Sequence, residues 1–358
     1  MLYAGGANQL GVEAQKEVVL STRQSLRGVE QSVLLRAVSA YTGVLSAREF
    51  VQLRENNVRV LTQEFRAAQD RFDVGEVTRT DVALAEARLA AARSLLASAQ
   101  GDLVLASEEY TAAIGRTPSG IRAVSAAPVS RNIADATAFA VRNHPSILEA
   151  QHSVSAAELN ILRAEAALKP RVSLNGFVST DQDSNETSQL GLSVGGPIYS
   201  GGLISSQVRQ TRSNRDAARS GLHLAIIGIE QEVGNAYASL QVARASRQAS
   251  DQQISASRVA FEGVREEATL GSRTTLDVLN AEQELLDAEA NRIAAQANEV
   301  VASYALLSAM GLLTADHLNL PVQQYEPSEY YNLVQNAPVA ISRQGRALDR
   351  VLEAIGKE

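Results

Sequence analysis

Cysteine is absent from the 358 residues, which excludes disulfides and thiolate metal sites outright. A cysteine-free chain suits an oxidising compartment, though many cytosolic chains share the trait. Proline is scarce. The eight prolines are at 118, 128, 145, 170, 197, 321, 327 and 338, and none falls in 1–117 or 198–320. Because proline breaks helix interiors, two windows of that length permit very long helices. No stretch approaches the ~18–20 consecutive apolar residues of a membrane-spanning helix; Ala305 to Leu313 is among the most apolar runs and is far too short. Met1 is followed at once by Leu-Tyr-Ala-Gly-Gly, without a basic region or an apolar core of the signal-peptide kind. Either the protein is cytosolic or the chain begins downstream of the natural start. No long run of one charge sign occurs, and the net charge of −7 argues against nucleic acid, which needs clustered Lys and Arg.

Catalytic signatures are thin. There is no Walker loop and no dinucleotide fingerprint. Histidines 144, 152, 223 and 317 show no H-x-x-x-H ligand spacing. Gly191-Leu-Ser193-Val-Gly195 matches the G-x-S-x-G elbow, but that motif needs a sharp turn at the serine and an immediate helix, and Ser193 lies in an alternating strand pattern. No enzyme and no cofactor is expected.

What the sequence does hold is a repeat. Leu-Tyr-Ala-Gly-Gly at 2–6 returns as Ile-Tyr-Ser-Gly-Gly at 198–202, an offset of 196. Without a gap, Tyr41 falls on Tyr237, Gly75 on Gly271, Thr78 on Thr274, Asp81 on Asp277, Ala85 on Ala281, Glu86 on Glu282 and Gly115 on Gly311. The chain is a tandem duplication of a unit longer than solenoid repeats.

Each copy is rich in Ala, Leu, Glu, Gln and Arg, good helix formers, and reads as a long helix, a break and a second helix. In the first copy these span roughly 7–72 and 80–115. The break holds Gly75, suited to a helix C-terminus, then Thr78 or Thr80 as N-cap, with Asp81 in the first turn where the dipole favours it. Gly271, Thr274 and Asp277 repeat the pattern. A helix of about 65 residues reaches ~100 Å, too long for a compact globule, so its partners must be other long helices. Val82, Leu89, Leu96, Leu103 and Tyr110 recur by sevens, as do Ala85, Ala92, Ala99, Ala106 and Ala113. Ala281, Ala288, Ala295, Ala302 and Ala309 repeat the alanine row, beside Leu279, Leu286, Ile293, Val300 and Leu307. A strict seven-residue period means coiled-coil packing; an ordinary antiparallel coiled coil satisfies it as well as a larger assembly does.

Between the copies, 131–168 reads as helix: Asn132 to His144, then a part opened by Pro145 and ended by Pro170. Two alternating strands follow, Val172, Leu174 and Val178 in one and Leu190, Leu192 and Val194 in the other, joined by a polar turn at 181–187. One apolar and one polar face fit the wall of a water-filled barrel in lipid, or equally the core face of a soluble sheet.

The repeat and its motifs together resemble the TolC-like outer-membrane efflux and secretion channels. The segments that carry the resemblance are Gly-Pro-Ile-Tyr-Ser-Gly-Gly at 196–202, Asn-His-Pro-Ser-Ile-Leu-Glu-Ala at 143–150, Ala-Tyr at 40–41 and 236–237, and Leu-Gly-Ser-Arg-Thr-Thr-Leu-Asp-Val-Leu-Asn-Ala at 270–281 with its echo at 74–85. It covers about 2 to 325. It implies a mainly α fold with a small β part: long antiparallel coiled-coil helices of an α-barrel, plus hairpin strands of a trimeric outer-membrane β-barrel. The expected organisation is a first repeat over 1–120 with its hairpin largely missing, a connecting segment and helix over 121–170, a hairpin over 171–197, second-repeat helices over 198–320, and a C-terminal segment over 321–358 belonging to an equatorial region.

The resemblance implies a passive conduit for small-molecule efflux or type I protein secretion. The homotrimer would sit in outer-membrane lipid of a Gram-negative bacterium with a periplasmic extension. It would dock to an inner-membrane transporter through a periplasmic adaptor. By the same resemblance Asp277 and Asn280 line a pore constriction, where family members often carry two acidic rings. Arg273 with Thr80 and Asp81 match links that hold the closed state, and the tyrosine that assists in some members is replaced by Ala268. Gly75 and Gly271 mark the helix breaks; Pro197, Gly201, Gly202, Gly5 and Gly6 mark strand-to-helix transitions. The competing reading of Asp277 is a helix-start residue, one that its equivalent Asp81 shares. The competing function is a soluble periplasmic coiled-coil scaffold or adaptor, which would show one helical hairpin between small β modules and no duplication.

Overall fold

The computed structural model describes residues 2–129, 132–180 and 186–322, together with positions 343, 346 and 350. The hairpin tip at 181–185 and nearly all of the expected C-terminal segment at 321–358 lie outside the described residues.

The elements are β1 (Tyr3–Ala4), α1 (Ala7–Asp73), α2 (Arg79–Ile114), α3 (Ile133–Asn143), α4 (Pro145–Glu165) with a short 3₁₀ turn to Leu168, β2 (Arg171–Thr180), β3 (Glu186–Gly195), α5 (Leu203–Thr269) and α6 (Thr275–Ala309). The two long helices have the same length of 67 residues and start 196 positions apart. Their ends are built alike. Gly6 and Gly202 cap them at φ 89° and 85°, each preceded by a second left-handed glycine, Gly5 or Gly201. At Gly5 a Cβ would lie 2.7 Å from the Ala166 carbonyl and from Lys169 Cβ, so both backbone sign and space demand glycine.

Each long helix ends in a Schellman turn. Gly75 N–H donates to the Phe72 carbonyl and Glu76 N–H to Arg71, at 2.9 Å each; Gly271 and Ser272 do the same to Ala268 and Glu267 at 3.1 and 3.0 Å. Between the two N-cap candidates of the first break, Thr78 is the one used, and Thr80 lies inside α2. The expected helix over 131–168 is divided at His144. Pro145 has no N–H and disfavours helical backbone before it, so His144 is extended at ψ 131° and caps α4 instead.

The long helices are covered in pieces by antiparallel partners. Along α1, His152 and Ser153 of α4 meet Glu17 and Ser21 near its start, and α2 takes over from Arg36–Glu109 to Leu61 against Leu89. Along α5, α4 pairs first through Glu165–Arg212 and Glu158–Arg219, then α6 through Glu289–Arg258 and Arg292–Asp251. The seven-residue rows face these seams: Ala85, Ala92, Ala99, Ala288, Ala295 and Ala309 are buried, as are Leu89, Leu279, Leu286, Val300 and Leu307. The largest apolar cluster joins α3, α4, α5 and α6 through Ala136, Ala140, Ile147, Val233, Leu240 and Leu306. There Gly311, at φ 77°, meets His144 so closely that a Cβ would sit 3.1 Å from its Cα.

The sheet has the order β1-β2-β3, all antiparallel. Strand β1 of the first copy thus pairs with the hairpin of the second. Residues 315–322 form a separate short run of turns, with Leu320 N–H on the Ala315 carbonyl at 2.9 Å.

Leu240 is fully buried where α5 meets α6. Leu240→Ala is expected to destabilise the fold by about 2–5 kcal/mol, the range for a buried leucine that leaves a cavity. Denaturant unfolding followed by circular dichroism checks this.

Candidate functional site

The helix breaks are capped by the same small machine in both copies. Thr274 Oγ1 accepts the Asp277 amide at 3.2 Å. The Asp277 Oδ2 in turn accepts the Thr274 N–H at 2.9 Å and its hydroxyl at 2.8 Å. Thr78 and Asp81 make the same box at 2.9 and 2.7 Å. Two donors on one carboxylate hold both aspartates below the ordinary carboxylate range, with nearby arginines, Arg273 for Asp277 and Arg71 for Asp81, adding to it. Asp277 is therefore a helix-start residue in its bonds, and it is ionised at any physiological pH. Asn280, one turn on, is exposed, and its Oδ1 accepts from Arg88 of α2 at 3.3 Å.

Arg273 is bonded to Glu267 at 2.7 Å, across the break from which it projects. Glu267 raises its pKa through this bond, with a smaller contribution from Asp277. Within the chain, Arg273 is not brought to Thr80 or Asp81 by any contact found among the described residues. Ala268 stands in the last turn of α5, half-buried.

Sequence reasoning missed the join between the copies. Where α6 crosses α1, Glu282 is buried, and its Oε1 accepts from the buried Asn57 amide at 3.0 Å. Its Oε2 has no hydrogen-bond partner among the described residues. Leu61, Leu89, Ala92 and Leu279 pack beside it, with Val58 and Phe65 at the margin. Burial, with a smaller push from Glu64, raises its pKa to about 7 against the lowering effects of Asn57 and Arg265. Its equivalent Glu86 is exposed. The signal was available only in part: an acidic residue stands at this position in both copies, yet nothing in the periodicity says which copy is covered.

The sheet separates its faces as the alternation requires. Val172 pairs with Val194 and Leu174 with Leu192 on one face; Ser173 pairs with Ser193 and Asn175 with Gly191 on the other. The apolar side is open: Leu174, Val178, Leu190, Leu192 and Val194 are 45–76% exposed. Phe177 is the exception, standing on the polar face opposite Gln189. Ser193 sits mid-strand with its Oγ 2.8 Å from that of Ser173, so the strand-turn-helix geometry of a nucleophile elbow is missing. Pro197, Gly201 and Gly202 lie between β3 and α5, the last two at φ 56° and 85°. No helix among the described residues is long and apolar enough to cross a membrane, and no group of metal-ligating side chains occurs among them.

A family model described as "Outer membrane efflux protein" matches residues 1–116 and 139–312. The chain belongs to this family. It is 38% identical over 344 residues to the outer membrane efflux protein BepC of Brucella suis, covering 94% of this chain and 75% of BepC. It is 25% identical to the alkaline protease secretion protein AprF of Pseudomonas aeruginosa, covering 74% of this chain and 58% of AprF. Among solved structures, the Campylobacter jejuni CmeC outer membrane channel superposes with a TM-score of 0.76 at 17% identity, over 91% of this chain and 71% of that one. An outer membrane efflux protein must place apolar side chains against lipid without a membrane-spanning helix, and the exposed apolar face of β2 and β3 is where this chain can do so.

The buried Glu282 gives this family member a pH dependence of known sign. Its carboxyl binds a proton more tightly folded than unfolded. The stability it allows is therefore complete below the ordinary value of 4.5. That stability declines as pH rises and is lost above about 7. Glu282→Gln keeps the Asn57 hydrogen bond without the charge. Urea midpoints should fall between pH 5 and 8 in the parent by more than in the Gln variant, with the variant the more stable of the two at pH 8.

Proposed function

We propose that the chain is one protomer of a homotrimeric conduit for efflux or secretion. It would sit in the outer membrane of a Gram-negative bacterium with its long helices in the periplasm. A periplasmic adaptor and an inner-membrane transporter would dock to it and supply the energy. The single observation that carries this reading is the combination of a duplicated helical hairpin with a sheet whose apolar face is uncovered. A soluble adaptor or scaffold would bury that face.

A second uncovered surface supports assembly. Val12, Val19, Leu26 and Val33 recur by sevens along α1 and are 43–56% exposed. Their equivalents in α5 are Val208, Arg215, Leu222 and Ile229; Val208 and Ile229 are buried, and Leu222 packs into the cluster with α3 and α4. The same seam is therefore covered in one copy and open in the other. A heptad row of aliphatic residues this exposed is a coiled-coil face awaiting a helix. In the proposed trimer another helix of the assembly covers it. Leu26→Glu should leave the helical content of the protein intact and reduce its trimer fraction several-fold by light scattering in detergent. An unchanged trimer fraction would remove this seam from the assembly.

At the break end, threefold symmetry would bring three copies of Asp277 round one axis, with Asn280 contributing an uncharged ring. Such a carboxylate ring attracts cations and resists anions. Arg273, Thr80 and Asp81 would then link neighbouring coils in the closed state. Asp277→Ala should reduce cation selectivity and weaken block by multivalent cations in planar-bilayer recordings. Arg273→Ala and Asp81→Ala should each raise conductance at unchanged selectivity, and the double variant should add little to either. If Asp277→Ala leaves selectivity and cation block as they were, the capping box is its whole role.

A further inference from the structure

A pocket of about 600 Å³ lies at the foot of the sheet, between the starts of α1 and α5 and the end of α4. Its floor is alanine: Ala7, Ala157, Ala164 and Ala167. Its polar residues are Arg163 and Arg171, the amides Asn160, Gln207, Gln210 and Asn214, and Thr211. No carboxylate among the described residues lines it, in a chain whose net charge is −7. Among the described residues neither arginine has an ion pair or side-chain hydrogen bond, whereas Arg212 and Arg219 on the adjoining α5 are bonded to Glu165 and Glu158. Arg163 lies over Gly11 of α1, where a Cβ would meet its Cζ and Nε at 3.6 Å. The Arg163 side chain thus rests against the neighbouring helix α1.

Strand parity says which way the pocket opens. Arg171 precedes Val172, so it shares the face of Ser173 and Asn175, the polar one. On the conduit reading, on which this inference rests, that face lines the water-filled interior. Arginine presents a planar fork that matches phosphate, sulfate and carboxylate oxygens, and side-chain amides supply further donors. We infer that this pocket is an anion-binding subsite in the wall of the conduit, at the passage from helices to strands, taking a compact oxyanion such as a phosphoryl or carboxylate group of a passing solute. Repeated by symmetry it forms a basic collar, opposite in sign to the Asp277 ring at the other end of the long helices. An anionic solute repelled at one end would be held at the other.

Inorganic pyrophosphate is a suitable probe. With the detergent-solubilised protein, calorimetry should show one pyrophosphate site per protomer that weakens with added salt. R163Q/R171Q should weaken it about tenfold or more, since two charge-assisted hydrogen-bonding groups are lost. R163K/R171K, which restores charge without the fork, should recover part of the affinity. Both side chains are exposed, so unchanged circular dichroism and trimer fraction should accompany the loss. In bilayers, pyrophosphate should reduce the parent's current and leave that of R163Q/R171Q unaffected. Absent binding, or binding indifferent to R163Q/R171Q, overturns the site. Arginine-dependent binding with no effect on an open channel overturns its place in the interior. If the protein forms no channel at all, the conduit reading fails while the calorimetric result still decides whether the pocket binds anions.

Discussion

A helix of 67 residues cannot bury its apolar side chains against itself. At ~1.5 Å per residue each long helix here runs ~100 Å, several times the width of a small globular core. Stability must come from contacts laid along its length, and no single partner is long enough. The chain answers by relay. Helix α4 covers the starts of both α1 and α5, α2 and α6 cover their remainders, and α6 also crosses α1 at Asn57 and Glu282. Alanine recurs in the seams because each must be narrow. Ala92 and Ala288 are almost wholly buried, so any larger side chain there would push two helices apart.

The relay has to turn corners, and the turns dictate the few residues that repeat most faithfully. A long helix followed at once by an antiparallel partner needs a left-handed C-terminal glycine, an extended N-cap and a first-turn acid. Gly75, Thr78 and Asp81 provide these in the first copy, and Gly271, Thr274 and Asp277 in the second, with N-cap angles that agree within a degree. A role for Asp277 in a pore would therefore be added to a structural role, not substituted for it. Capping and ring charge are compatible, because the capping donors hold the carboxylate ionised.

Much of this was legible in the sequence because it depends on local chemistry. Proline spacing, glycine punctuation and seven-residue rows give helices near 7–72 and 80–115, against Ala7–Asp73 and Arg79–Ile114 in the structure. The division at His144 was less clear. The segment reads as helical on both sides, and only the steric effect of Pro145 on the preceding residue decides it. Tertiary partners were not legible. Asn280 reads as a pore residue and is bonded to Arg88; Arg273 reads as a link between coils and is bonded to Glu267 across its own turn. An amphipathic pattern says that a face is covered without saying by what.

The deepest consequence lies where the two copies stop being equivalent. A tandem duplication offers two matching helical hairpins, and three such chains would offer six. Were the hairpins interchangeable, the assembly could approach sixfold symmetry along its whole length. They are not. Glu282 is buried on Asn57, while Glu86 is exposed, and the residue matching Asn57 in the second copy is Gln253. Arg273 spans its break to Glu267, while the equivalent of Arg273 in the first break is Val77. The open row from Val12 to Val33 has a covered twin in α5. Each difference gives the two hairpins unlike surroundings, so they cannot stand in equivalent environments. The Glu282 carboxyl at the crossing of α1 and α6 is hydrogen-bonded through one oxygen and has no partner for the other among the described residues, and a half-satisfied buried polar group costs stability.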